Sequence, residues 1–143
     1  MTTENAGIVL VVDDEQGIRD MLARHLRFVG YEVLRAGNGR EALAILERQC
    51  VDVVVTDLVM PEMDGVALMR ALREGYPTVP FIAITGHVEL RHLLTAMRLG
   101  AEDCLFKPLR DLSELEEVIT RLVARNRRWQ RKLAQLRSVE EAS

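Results

Sequence analysis

The sequence predicts an α/β fold: a doubly wound parallel sheet built from five strand–helix units, (βα)5, followed by an extended C-terminal helix. Short runs of branched apolar residues alternate with longer segments of helical period. This alternation indicates parallel strands joined by right-handed crossovers, with helices on both faces of the sheet. Polar residues also follow four of the apolar runs, namely Asp13, Asp57, Thr85 and Lys107. Ligands bind such sheets at the carboxyl ends of the strands.

The predicted strands share a high content of Val, Ile, Leu and Phe and comprise residues 8–12, 31–36, 51–56, 81–85 and 103–106. Between them, helical spacing predicts helices at about 18–29, 38–46, 66–76 and 90–97, and a long helix from about 113. Gly30 and Gly100 are placed to end the first and fourth helices, and Asn38 is placed to cap the second. Pro61 and Gly65 interrupt the segment after the third strand.

Bulk properties exclude several classes of protein. With 143 residues, 48% of them hydrophobic, and a net charge of -3, the chain suits one domain with a real core, or one domain with an appendage. The weak acidic balance gives no overall attraction to nucleic acid or anionic membrane. No apolar run approaches the roughly 18 residues of a membrane span, and residues 1–7 lack signal-peptide features. Cys50 and Cys104 do not suggest a disulfide framework or metal cluster, so a cytoplasmic protein is expected.

The polar residues at the strand ends predict a shared site. In a sheet ordered 2-1-3-4-5, strands one and three are neighbours, so Asp13, Asp14 and Asp57 lie on one rim. Packed carboxylates repel each other unless a cation neutralises them. Mg²⁺, which prefers oxygen ligands, is the natural cation, and Lys107 adds a positive charge. A carboxylate facing a metal ion, an ammonium and the Thr85 hydroxyl is equipped to attack phosphorus.

Four segments in order carry a specific resemblance to a known family. They are residues 11–15 (VVDDE), 56–65 (TDLVMPEMDG), 83–86 (AITG) and 100–108 (GAEDCLFKP). Over about residues 8–124 the chain resembles the CheY-like receiver domain of bacterial two-component response regulators, a family with the 2-1-3-4-5 strand order. The resemblance implies that Asp57 accepts a phosphoryl group from a sensor histidine kinase or phosphotransfer protein. It implies no enzymatic activity beyond the protein's own phosphorylation and dephosphorylation.

The resemblance also implies roles for individual residues. Asp14 and Asp57 would ligate Mg²⁺ directly, Asp13 would act through a water, and the backbone carbonyl of Val59 would be a further ligand. Thr85 would hydrogen-bond the phosphoryl group, and Lys107 would pair with it. The Lys107–Pro108 bond is expected to be cis. Phosphorylation would shift the face formed by the fourth helix, fifth strand and fifth helix, and thereby control an output domain or partner.

The sequence departs from the family at one position and carries two unusual neighbours of the site. Cys104 stands where the family has Tyr or Phe, so the usual coupling between the threonine and an aromatic ring is not expected. A small buried residue is the favoured interpretation, with redox sensing as the alternative. Val59 would place an apolar side chain where water attacks the phosphoryl group. His87 would either aid hydrolysis or lie on the surface.

The C-terminal segment predicts an amphipathic helix beyond the receiver. We expect a receiver domain at residues 1–124 and a helical extension at 125–143, which either forms a coiled coil or links to an output domain. Two seven-residue series support a homodimer: Leu115, Leu122, Trp129 and Leu136; and Ile119, Asn126 and Leu133. Asn126 favours a parallel register, whereas Lys132 and Arg137 would face each other across it. A solvated basic face is the other interpretation, and direct nucleic-acid binding is not expected without a recognised DNA-binding motif.

Two other functions compete with a signalling role. A Mg²⁺-dependent phosphohydrolase would use Asp57 as its nucleophile, but haloacid-dehalogenase-type phosphatases have a second Asp two residues later, where this chain has Val59. A flavodoxin-like cofactor binder would need Ser, Thr and Gly after strand one. The acidic run at residues 13–15 would instead repel a phosphate.

Overall fold

The computed structural model describes residues 7–60, 63–86 and 89–142, and contains five strands and five helices in strict alternation. The strands are β1 (Ile8–Val12), β2 (Glu32–Ala36), β3 (Val53–Asp57), β4 (Phe81–Thr85) and β5 (Cys104–Phe106). The helices are α1 (Gln16–Phe28), α2 (Gly39–Arg48), α3 (Gly65–Gly75), α4 (Leu90–Arg98) and α5 (Ser113–Ala142). Pro61 and His87, which the sequence singles out, lie outside the described residues.

The strands form one parallel sheet in the order β2-β1-β3-β4-β5, as predicted. Central strands are buried on both sides, which explains their unbroken apolar runs. The register pairs Val12 with Thr56 and Asp57 with Ile84. The residues that follow β1 and end β3 therefore lie side by side at the carboxyl edge of the sheet.

Alternate residues of each strand enter two separate cores. Val9 and Val11 of β1 join a core completed by α1 and the first half of α5. Leu10 and Val12 join the core on the opposite face, which α2, α3 and α4 complete. The two-residue period of a strand therefore gives each helix layer an apolar surface on which to pack.

The helix ends follow local chemistry. Gly30 and Gly100 adopt φ values of 111° and 94°, the left-handed conformation that glycine tolerates best at a helix end. The Asn38 side chain accepts a hydrogen bond from the Glu41 amide at 2.9 Å, as expected of a cap. Asp64 caps α3 in the same way, by accepting from the Ala67 amide.

Some boundaries differ slightly from the predicted ones. The third strand begins at Val53 rather than at residue 51, although Val51 is still buried in the adjacent core. The second and fifth strands each begin one residue later than expected, and α3 begins at Gly65. At the third strand the shift arises because burial extends beyond the last ladder hydrogen bond. The other shifts are of one residue, within the ordinary uncertainty of element ends.

Helix α5 has two contrasting halves. Its first half is buried through Leu115, Ile119 and Leu122, whereas every residue from 128 to 142 is exposed. The helix nevertheless continues without a break for 30 residues. Within the described residues, no helix is both long enough and apolar enough to cross a membrane.

Candidate functional site

Three carboxylates meet at the carboxyl edge of the sheet. Asp13 follows β1, Asp57 ends β3, and Asp14 begins the turn that leads into α1. One carboxylate oxygen from each lies within 4.8 Å of the others. Asp13 and Asp57 are buried, whereas Asp14 is exposed to solvent. The predicted convergence of these residues therefore occurs, with one member of the cluster open to incoming groups.

Lys107 lies at the centre of this negative charge. Its Nζ is 2.9 Å from Asp13 Oδ2, from Glu15 Oε1 and from Asp57 Oδ2. Burial alone would favour the neutral amine, but the attraction of the three carboxylates outweighs burial and raises the pKa of Lys107. The side chain is therefore a fixed cation at neutral pH.

The environment of Asp13 shows that the Lys107 ammonium does not fully neutralise the negative charge of the cluster. Burial raises the pKa of Asp13, although the Glu15 amide and the Lys107 ammonium lower it in part. Oδ1 accepts from the Glu15 amide at 2.9 Å. Oδ2 is buried and has no aligned hydrogen-bond donor among the described residues, although the Lys107 ammonium lies nearby. A buried carboxylate oxygen with spare capacity, beside two other carboxylates, fits a hard divalent cation such as Mg²⁺.

Two further predicted residues border Asp57. The Val59 amide donates to Asp57 Oδ1 at 3.3 Å, and the Val59 side chain is exposed at the rim. Thr85 is buried at the end of β4, and its backbone carbonyl accepts from the Lys107 amide at 2.9 Å. The backbone thus ties the Thr85 and Lys107 positions together on the other side of Asp57.

Two contributors were not predicted from the sequence. Glu15 was noted as part of the acidic run, but its ion pair with Lys107 spans 92 positions along the chain. The sequence indicates only that Gly65 interrupts the segment after the third strand, whereas a Cβ there would collide with the Asp57 backbone carbonyl. Because the Gly65 amide also donates to the Leu58 carbonyl at 3.1 Å, glycine allows the start of α3 to pack against the acceptor strand. A glycine eight residues after Asp57 was the available signal.

Cys104 is the first residue of β5. It is half-buried and packs against the core that contains Ala96. Burial, together with the negative charge of Asp103, raises the pKa of the Cys104 thiol. The group is therefore a protonated, weakly nucleophilic thiol at neutral pH. The Lys107–Pro108 peptide bond is cis, as predicted.

This chain is similar in sequence to one known protein family and to several of its relatives. The model of the "Response regulator receiver domain" family matches residues 9–120. A probable transcriptional regulator ycf27 of Porphyridium aerugineum is 38% identical over 117 residues, which are 82% of this chain and 48% of that protein. The DNA-binding transcriptional regulator NtrC of Salmonella typhimurium is 38% identical over 118 residues, covering 82% of this chain and 25% of NtrC. The chain thus spans half or less of these two relatives.

Solved structures agree with this family. The CheY-like receiver domain from Methanospirillum hungatei has a TM-score of 0.80 and 28% identity, covering 85% of this chain and 97% of that one. TrrA from Thermotoga maritima, solved in complex with Mg²⁺-BeF, has a TM-score of 0.73 and 31% identity, covering 81% of this chain and 98% of that one. Residues 9–120, which the family model matches, include the three clustered aspartates and Lys107. The chain therefore belongs to the family of response regulator receiver domains of two-component systems.

Proposed function

We propose that this protein is a phosphorylation-activated switch in which Asp57 accepts a phosphoryl group from a sensor histidine kinase or phosphotransfer protein. The observation that carries the proposal is the placement of Lys107 Nζ 2.9 Å from Asp57 Oδ2, at the edge of three clustered carboxylates. A nucleophilic carboxylate needs a fixed cation to receive the negative charge of the transferred group.

In the proposed reaction, an Asp57 carboxylate oxygen attacks phosphorus while the bond from phosphorus to the donor nitrogen breaks. The new P–O bond makes an acyl phosphate, and the donor histidine keeps the electron pair and takes up a proton. Lys107 is held between Asp57 and Asp13, so a small movement of its ammonium transfers its pairing to a phosphoryl oxygen. We assign to Thr85 the hydrogen bond to that group, because its hydroxyl belongs to the adjacent strand end.

Mg²⁺ would be held by Asp14, Asp57 and the Val59 backbone carbonyl, with Asp13 acting through a water. When bound, the ion neutralises charge on the carboxylates and on the phosphoryl oxygens. The exposed position of Asp14 suits this role, because a metal that retains several waters needs an open side of the site. Asp13, buried beneath it, orients the site through the Glu15 amide and Lys107.

The proposed output is a shift of the face formed by α4, β5 and α5. Leu90, Met97 and Phe106 are large apolar residues exposed on α4 and β5, and are therefore available for a partner. Cys104 provides no ring to swing inward, so we propose that movement of the Thr85 loop is transmitted by repacking of α4. NMR shifts on adding beryllofluoride test this step. An unchanged α4–β5 face in that experiment contradicts it.

The proposed organisation is a receiver at residues 1–124 and a helical extension at 125–143. Because curated relatives such as NtrC are longer than the matched region, an output domain joined through α5 is part of the proposal.

The central test is phosphorylation by acetyl phosphate in the presence of Mg²⁺, followed by intact-protein mass spectrometry. We expect a mass gain of one phosphoryl group, which requires Mg²⁺ and is lost in Asp57→Asn. Asp20→Asn, a change at an exposed carboxylate paired with Arg35 on α1 and β2, is the matched control and should retain full labelling.

The same assay separates the competing functions. Rapid turnover of several phosphate monoesters without a labelled protein would favour a phosphohydrolase and contradict the switch. Labelling that persists in Asp57→Asn would place the acceptor elsewhere.

A further inference from the structure

The second half of α5 exposes an apolar stripe that no described residue covers. Trp129, Leu133 and Leu136 lie at helical spacing and are 64%, 53% and 55% exposed. In the first half of α5, the same face carries Leu115 and Leu122, which are buried against the sheet. An aromatic residue and two leucines presented together on one helix face indicate a docking surface.

The charges of this segment are strongly ordered along the helix. Residues 118–139 contain seven basic side chains and no acidic one, whereas Glu140 and Glu141 follow directly. Arg125 pairs with Glu102, and Arg127 pairs with Asp52. Arg128 and the basic residues beyond it make no ion pair with any described residue. The exposed half of α5 therefore has a basic root and an acidic tip.

We propose that the occupant of this stripe is the same segment of a second copy of this chain, packed in the antiparallel direction. Trp129 of one copy then lies near Leu136 of the other, and Leu133 lies close to the two-fold axis. This interface is isologous, so each apolar residue on one helix has an equivalent contact on the other. It lies at the end of the molecule opposite Asp57.

The sheet packed against the first half of α5 excludes the parallel arrangement that Asn126 alone would suggest. In a parallel in-register pair, the stripes of the two helices face each other along their whole length, at a separation of about 8–10 Å. Before Asn126 in the chain, however, the same face of each helix packs against the sheet of its own copy. Both receivers would have to occupy the space between the helices. Because α5 has no break, the helices cannot separate sharply there.

The antiparallel arrangement avoids this overlap and matches the charges. Each acidic tip reaches the basic root of the other helix, where Glu140 can accept a hydrogen bond from the Asn126 side-chain amide and lies near Arg128. The acidic tip also reaches a groove of the other copy, at the amino end of its sheet, which is lined in part by Cys50, Val79 and Gln130. Lys132 meets its own counterpart near the axis. This is one like-charge contact, whereas the parallel arrangement has two between Lys132 and Arg137.

Engineered disulfides test the direction of the helices. In a background carrying Cys50→Ser and Cys104→Ala, a mixture of Gln130→Cys and Arg137→Cys chains should form a mixed disulfide dimer. These positions share one flank of an antiparallel pair but lie on opposite flanks of a parallel one. The matched control is a mixture of Lys132→Cys and Arg137→Cys chains, which face each other only in a parallel pair. Cross-linking of this control mixture instead of the first overturns the proposal.

Charge substitution gives a second test with opposite signs for the two directions. Glu140→Gln should weaken antiparallel association by roughly threefold, because a carboxylate beside a basic root is lost. In a parallel pair it would strengthen association, because two carboxylates would no longer face each other. Light scattering during gel filtration measures the effect, and Leu133→Asp should give a monomer with unchanged helix content.

Other occupants are also distinguished. A wild-type chain that stays monomeric at several hundred micromolar overturns the proposal. If that monomer binds vesicles of phosphatidylglycerol or duplex DNA, the stripe instead serves a lipid surface or a nucleic acid. Asp57→Asn should dimerise as the wild type does, so this inference stands or falls separately from phosphoryl transfer.

Discussion

Both ends of the sheet bury aspartates, and the two ends neutralise them in different ways. At the amino end, Asp52 Oδ2 accepts from the Ile8 amide at 2.8 Å and lies 3.3 Å from Arg127 Nη2 of α5. At the carboxyl end, Asp57 Oδ2 meets the Lys107 ammonium, which Asp13 and Glu15 also contact. At the amino end, a single carboxylate is bound by a planar guanidinium and a backbone amide. At the carboxyl end, several carboxylates share one ammonium.

This difference separates a structural ion pair from a reactive one. The donors to Asp52 are a backbone amide and a guanidinium, which hold a carboxylate in one geometry. The ammonium of Lys107 is a compact charge on a flexible stem, and the cluster around it retains excess negative charge. The amino end therefore anchors the root of the α5 extension, and the carboxyl end is left able to take a metal ion and a phosphoryl group.

The largest expected effect comes from removing the cation at the reactive end. Lys107→Gln should slow labelling by acetyl phosphate by roughly a hundredfold, because no fixed positive charge would receive the phosphoryl oxygens. The chain has one other lysine, Lys132, which is exposed on α5. Lys132→Gln is therefore the matched control and should label at the wild-type rate. Equal rates for the two variants would remove Lys107 from the proposed chemistry.

The next effect is at the structural end and should appear in stability alone. Asp52→Asn should lower the free energy of unfolding by about 1–3 kcal/mol, because Arg127 loses its charged partner and the Ile8 amide a charged acceptor. Urea denaturation measures this change. Labelling of Asp57 should be unaffected once the protein is folded. Asp20→Asn, at an exposed ion pair, should change stability by less than about 0.5 kcal/mol.

The smallest effect concerns pH and Asp13. An unfolded aspartate loses its proton near pH 4, whereas burial raises the pKa of Asp13 in the folded protein. Between the two values the folded state keeps a proton that the unfolded state has lost, so stability falls as pH rises through that window. Asp13→Asn should remove this fall, giving a gain on the order of 1 kcal/mol at neutral pH.

That gain should vanish below about pH 4, where Asp13 is protonated in both states. Thermal denaturation at a series of pH values, with a chelator present to exclude divalent ions, provides the measurement. A variant that is less stable than the wild type at neutral pH would mean that the Lys107 attraction outweighs the cost of burial.

Much of the fold and of the candidate site could be predicted because each signal was local. Apolar runs, helical spacing and the glycines at helix ends depend on a few adjacent residues. The placement of Asp13 and Asp57 together followed from a general rule about strand ends in parallel sheets. The ion pair of Glu15 with Lys107, and that of Asp52 with Arg127, could not be predicted in this way. Each joins residues more than 70 positions apart.

The sequence by itself determined the five strand–helix units, the acidic residues at the strand ends and the basic, apolar character of the last helix. These features follow from residue type and spacing, which local propensity and the periods of helix and strand convert directly into structure. The tertiary structure alone decided that one ammonium serves three carboxylates and that Gly65 packs against the Asp57 carbonyl. It also decided that the apolar face of α5 is buried before Asn126 and exposed after it. These depend on how close separate elements approach, which is set by the packing of the whole core.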